Sequence, residues 1–240
     1  MPVVQRLWVR HTRTGRLRFA SHRDLARTLE RALMRAAVPM AYSEGFSPHP
    51  KISYAGAAPT GTASEAEYLE IGLAEPRDPG ELARDLSRVL PDGIQITDIV
   101  VSPGGSIADR IDASHWQIQL TGVDIEQADR AVRGFLGQDE VPVQRVMKDG
   151  PRTLDARSPV VSLSAQPAPD DNCVILDLVV RHVIPAVRPD DVLAALREMA
   201  DLVPPSPPVA TRLAQGLLTG DGRLADPLHP AAVSAVADQA

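Results

Sequence analysis

One recurring order of elements constrains this chain more than any other feature. Val3 to Thr12 alternates, with Val4, Arg6, Trp8 and Arg10 set against Val3, Gln5, Leu7 and Val9, and so predicts a strand. Thr14-Gly15 signals a turn, and Leu17 to Ala20 predicts a short returning strand. A helix from Ser21 to about Ala37 follows, then a Pro/Gly loop from Pro39 to Pro50. Strands are predicted over Ile52–Ala55 and Ala66–Leu73, a helix over Asp78–Val89, and a strand over Ile94–Val101. Ser102-Pro-Gly-Gly105 then punctuates the chain.

Beyond it the order returns. Strands are predicted over His115–Val123, Val141–Met147, Val160–Ala165 and Cys173–Val180, with a turn at Lys148–Pro151. Helices are predicted over Ile125–Leu136 and Pro189–Leu202, and a last strand over Val209–Leu217. Each half therefore reads β, α, β, β, α, β, the second with an extra hairpin arm. The expected fold class is α+β: two tandem ferredoxin-like (split βαβ) domains, with antiparallel sheets carrying helices on one face. The expected boundaries are 1–102, 103–218 and a loosely ordered Pro/Gly/Ala-rich tail, 219–240. The open sheet face of such a domain is a platform on which strand aromatics stack RNA bases.

The first helix carries two stripes. Leu25, Leu29 and Leu33 form one; Arg23, Arg27, Arg31 and Arg35 form the other, about 200° away, so the two lie on opposite faces. The leucines face a core, and the arginines face solvent or an anion. Charge gives this weight. The net charge is −6, yet residues 1–60 hold ten Lys and Arg against three Asp and Glu, a local balance of +7, leaving −13 for the remainder. Five of the eight aromatics, Trp8, Phe19, Tyr42, Phe46 and Tyr54, fall in the same segment, as do His11, His22 and His49. Arginines interleaved with rings suit single-stranded RNA, whose phosphates meet cations while bases stack. The other reading is ordinary: rings in a core, arginines on a solvated face.

Absences narrow the classes. No run of eighteen apolar residues occurs, so no transmembrane helix is expected. Met1–Arg10 lacks the apolar core of a secretory signal. The single cysteine, Cys173, excludes a disulfide framework or thiolate cluster within this chain. A cytoplasmic location is expected. No cofactor, no metal and no sequence-specific reading of DNA are expected.

Three blocks carry the most specific signal: Arg18-Phe-Ala-Ser-His-Arg-Asp24, Gly45-Phe-Ser-Pro-His-Pro-Lys51 and Gly61-Thr-Ala-Ser-Glu-Ala-Glu67. Together they resemble a bacterial radical-SAM-associated domain family of unknown function, strongly over residues 5–75. Ser47 stands where that family more often has Asn. The resemblance implies a radical-SAM protein as partner. The chain lacks the three-cysteine motif of such an enzyme and is not itself that catalyst.

The residues of these blocks suggest chemistry directly. Ser21 reads as the helix N-cap, and free amides there, with His22 and Arg23, make an anion site. The prolines flanking His49 fix a loop that presents Phe46, Ser47, His49 and Lys51. The expected RNA- or anion-binding set is Arg18, Ser21, Arg23, Arg27, Arg31, Tyr42, Phe46, Ser47 and Lys51. Asp24, Glu65 and Glu67 are expected in structural ion pairs, and one of Glu65, Glu67 and Glu70 is expected to pair with an arginine of the first helix. His115, His182 and Cys173 are expected to be packed.

The leading reading is an RNA-binding accessory factor, holding tRNA or rRNA and serving a radical-SAM enzyme. One alternative is an endoribonuclease-like enzyme with His22 and His49 as the catalytic acid and base, and Ser47 or Lys51 stabilising the phosphorane. Another is a protein–protein adaptor for the radical-SAM enzyme.

Overall fold

A computed structural model describes residues 2–147, 150–169, 172–230 and 233–234. It is a mixed α+β structure of antiparallel sheet and helices, in two compact units. The division falls after Ile111 rather than after residue 102, and Pro227–Pro230 returns to the first unit. No described helix is long and apolar enough to cross a membrane.

In the first unit, β1 (Gln5–Arg13) pairs antiparallel with both β3 (Ala63–Leu73) and β4 (Ile96–Val101), and β2 (Ile52–Ala55) lies on the other side of β3. The strand order is thus β4-β1-β3-β2. Strand alternation puts Leu7 and Val9 opposite Ile71 and Leu69, all on one face. Leu25, Leu29, Ala32 and Leu33 of α1 (His22–Arg35) and Leu82 and Leu86 of α2 (Pro79–Ser87) close over that face. Each fully buried Leu there contributes roughly 1.5–3 kcal/mol of burial.

The opposite face is covered too, contrary to the expected open platform. Trp8 is fully buried and Tyr68 is 3% exposed. Ile107 and Leu228 pack on Trp8, and the Arg110 guanidinium lies 4.7 Å from its ring centroid. Arg110 also donates to the Pro227 carbonyl at 3.1 Å, tying down the segment that brings Leu228.

Gly15–Phe19 is a 3₁₀ turn, not the predicted returning strand. The end of β1 already has a partner: the Thr12 and Thr14 amides donate to the Gln95 and Gly93 carbonyls. Leu17 is left to pack on the core beneath α1.

The second unit has the order β10-β5-β9-β8, all antiparallel, from β5 (Ala113–Thr121), β8 (Val160–Pro167), β9 (Cys173–Arg181) and β10 (Val209–Leu218). α3 (Ile125–Leu136) and α4 (Pro189–Ala200) pack together and bury Val132, Phe135, Val192 and Leu196. β6 (Pro142–Met147) and β7 (Gly150–Asp155) form the hairpin arm. The predicted turn at 148–151 falls partly outside the described residues, and its last two positions belong to β7. Arg145 anchors the arm, its Nε donating to the buried Asp191 carboxylate at 2.8 Å. His115 is buried and paired with Asp177 at 2.7 Å, Cys173 is half-buried, and exposed His182 shares a 2.7 Å hydrogen bond with Ser114.

Part of the segment expected to be loose is packed: Leu224, Pro227 and Leu228 are buried. β11 (Leu224–Ala225) pairs with β10 and with β12 (Val233–Ser234), and Leu224 is buried against Ala113 and Val179. Gly216 permits this approach: a Cβ there would sit 1.9 Å from the Ala225 carbonyl oxygen. The rest of the predicted tail lies outside the described residues.

Candidate functional site

The start of α1 is built as its sequence dictates. Ser21 is the N-cap; its hydroxyl accepts from the Asp24 amide at 3.2 Å and donates to the Asp24 carboxylate at 2.7 Å. Asp24 thus serves the cap rather than an arginine. His22 and Arg23 are exposed on the first turn. The His22 ring meets Tyr54 of β2 edge-on, with centroids 5.1 Å apart. The Tyr54 hydroxyl is enclosed with no hydrogen-bond partner; burial and the nearby Glu30 charge push its phenol pKa up, so it stays protonated.

A residue outside the predicted set organises the approach to this helix. Arg13 is fully buried, and its guanidinium donates to the carbonyls of Ala58 (3.0 Å), Arg18 (2.9 Å) and Pro59 (2.6 Å). Burial draws its pKa down and the Glu67 charge opposes the shift. The Gly61 amide also donates to the Arg18 carbonyl at 2.7 Å. The Arg18 and Gly61 blocks are therefore joined directly, with Arg13 bracing the turn beside them. The clamp fixes the turn from which Arg18 lies 4.7 Å from the Phe19 ring, and that ring is 61% exposed.

The Pro-rich loop is a closed hairpin. The Ser43 amide donates to the His49 carbonyl (2.8 Å), the Ser43 hydroxyl accepts from the His49 amide (2.9 Å), and Lys51 donates to Ala41 (2.8 Å). Gly45, at φ 118°, makes the reversal that glycine tolerates. The loop holds Phe46 wholly in solvent, with Ser47, His49 and Lys51 also exposed. Tyr42 instead packs half-buried against the core. Among the described residues, no hydrogen bond, ion pair or ring contact joins His22 to His49, and the His49 ring has no such partner at all.

The carboxylates divide three ways. Glu65 is exposed, Glu67 is buried near Arg13 and the Ala58 amide (3.4 Å), and Glu70 accepts from Arg6 (2.6 Å) and the Trp8 indole (2.7 Å). Among the described residues none of them bonds an arginine of α1. Among the described residues, Arg16, Arg23, Arg27, Arg31, Arg35 and Lys51 are exposed and have no ion pair, nor has the half-buried Arg18. The sequence-predicted set thus resolves into an exposed cationic band with Phe19 beside it, an exposed loop carrying Phe46, and a core residue, Tyr42.

These blocks lie within a family pattern that the chain matches over residues 6–189. The chain belongs to the bacterial family described as "Uncharacterized protein conserved in bacteria (DUF2344)". No curated protein sequence matches it. Among solved structures, the first two RRM domains of yeast poly(U) binding protein (Pub1) align at 12% identity over 88% of this chain and 99% of that one, with a TM-score of 0.21. DyPB from Rhodococcus jostii RHA1 aligns at 13% identity over 83% and 85%, also at 0.21. The encapsulated DyP-type peroxidase from Mycobacterium smegmatis aligns at 13% over 90% and 92%, again at 0.21. At that level of superposition these likenesses bear on neither the fold nor the function of this DUF2344 chain.

Proposed function

We propose that this protein is an RNA-binding accessory factor whose contact surface is the outer face of α1 with the turn before it. One observation carries the reading. Arg23, Arg27, Arg31 and Arg35 repeat at four-residue spacing, and among the described residues no carboxylate pairs with them. Like charges at that spacing cost an isolated helix a few tenths of a kcal/mol per pair, so the fold carries a local penalty that a polyanion would relieve. The exposed Phe19 and Phe46 rings supply stacking surfaces of the kind single-stranded RNA uses. Each unit is read as a split βαβ (ferredoxin-like) module. In support, both show the antiparallel order in which the first strand sits between the third and the last. The family resemblance supports a radical-SAM enzyme as the partner served, with tRNA or rRNA as the nucleic acid.

The test is fluorescence anisotropy of labelled single-stranded RNA and tRNA over a salt series. Replacing Arg27 and Arg31 together by Gln should weaken binding about tenfold or more and lower the slope of log K against log salt by about 1–2. Identical affinity and slope in variant and parent would remove the reading.

A further inference from the structure

A cleft of about 450 Å³ opens beside the cationic band. One side is formed by Leu17 from the 3₁₀ turn, Ala32 from α1, and Val89 and Pro91 from the connection between α2 and β4. Its rim holds Thr28, Arg31 and Arg35, all on α1. The walls are held in place by the fold. The Thr14 amide donates to Gly93 at 2.8 Å, Val89 to Leu86 at 3.1 Å and Ile94 to Pro91 at 3.2 Å. Arg31 is oriented from below: its Nε donates to the Arg27 carbonyl at 3.2 Å and its Nη2 reaches Thr28 at 3.5 Å. The volume lies within the roughly 300–1,000 Å³ of small-molecule sites.

We propose that this cleft binds a phosphomonoester of a nucleotide, either free or at the end of an RNA strand. The inference rests on the reading of α1 as an RNA-binding face and assigns part of that face a narrower task. Two arginines one helical turn apart, neither paired with a carboxylate among the described residues, match a dianion better than a monoanion. A phosphodiester carries one charge; a phosphomonoester carries about 1.5–2 near neutral pH and offers three acceptor oxygens. Leu17, Val89 and Pro91 offer the sugar and base an apolar edge beyond the phosphate.

The test uses one short RNA sequence labelled internally and made with 5′-hydroxyl, 5′-phosphate or 3′-phosphate ends, with AMP, UMP and polyglutamate as competitors. The parent protein should prefer one phosphorylated end about tenfold over the hydroxyl form. The preference should shrink below about pH 6, where the phosphate loses its second charge. Arg35→Gln should bring the ratio to within about twofold, and so should Val89→Trp, which fills the cleft without changing charge. Unfolding midpoints show whether each variant is folded, and Arg35→Gln, on an exposed helix face, keeps the test open if the tryptophan is not tolerated. Equal binding of all three ends, or a preference that survives Arg35→Gln, overturns the proposal while leaving general RNA binding intact. Displacement by polyglutamate as readily as by AMP also overturns it. Binding of AMP or UMP without binding of any RNA supports a free-nucleotide site and removes the RNA reading instead.

Discussion

α1 and α3 stand at the same place in their units, each the first helix after the first long strand, and their inner faces are alike. Leu25, Leu29, Ala32 and Leu33 are buried on one; Ala128, Ala131, Val132 and Phe135 on the other. Each has a side-chain N-cap, Ser21 or Asp124. Their outer faces differ. On α3, Arg130 pairs with Glu126 and Arg133 with Asp129, each one turn apart. On α1 the arginines follow one another with no acid between them at that spacing. The fold requires only the buried stripe, so the polar face is free to differ. Exposed pairs like those of α3 yield about 0.3–0.5 kcal/mol each. Forgoing them on α1 makes a helix whose outer face is suited to meeting something negative.

The largest expected effects lie where the helices agree. Phe135→Ala should cost about 3–5 kcal/mol and Leu29→Ala about 2–5, read from urea unfolding. A cost near zero for either would break the claim that both inner faces are equally necessary. Arg13→Met should come next. It strands the carbonyls of Ala58, Arg18 and Pro59 and removes the cation near buried Glu67, at a cost of about 3 kcal/mol. Any RNA affinity should fall with it as the turn bearing Arg18 and Phe19 loosens.

Smaller effects lie where the helices differ. Arg23→Glu places an acid four residues before Arg27, copying the arrangement of α3. Stability should rise by about 0.3–0.5 kcal/mol while RNA binding weakens, measured on one preparation by unfolding and anisotropy. A variant that is both more stable and an equally good binder would show that the bare face has no such role. In the other direction, Glu126→Gln with Asp129→Asn uncovers two arginines on α3. This should cost a few tenths of a kcal/mol and confer no RNA affinity, since the second unit offers them neither Phe19 nor the loop of Phe46.

Periodicity made the helices legible: the bounds of α3 follow from its apolar spacing alone, and Ser21 follows from its position ahead of the Leu stripe. Arg13 was not legible: alternation places it on the face of Leu7 and Val9, but its residue type argues for solvent, and only the fold supplies the carbonyls of Ala58, Arg18 and Pro59 that hold it. The Leu17–Ala20 segment misled because a short apolar run after Thr-Gly fits a hairpin and a 3₁₀ turn equally well. β7 was missed because its ribbon pairs only with β6 and leaves Pro151, Arg152 and Thr153 exposed, so no apolar alternation marks it. The packing within residues 219–230 had one signal, Gly216 inside a strand pattern, which asks what comes too close for a side chain. For the site, residue types disclosed the cationic band, but only three dimensions could separate exposed Phe19 and Phe46 from packed Tyr42.

Trp8 sits in the middle of the sheet and already has its company: Ile107, Leu228 and a guanidinium laid over the indole. In effect the molecule carries a permanent internal guest on the surface where a sheet might otherwise receive a visitor. A visitor to the first unit therefore finds outward rings elsewhere, at Phe19 in the 3₁₀ turn and at Phe46 on the Pro-rich loop.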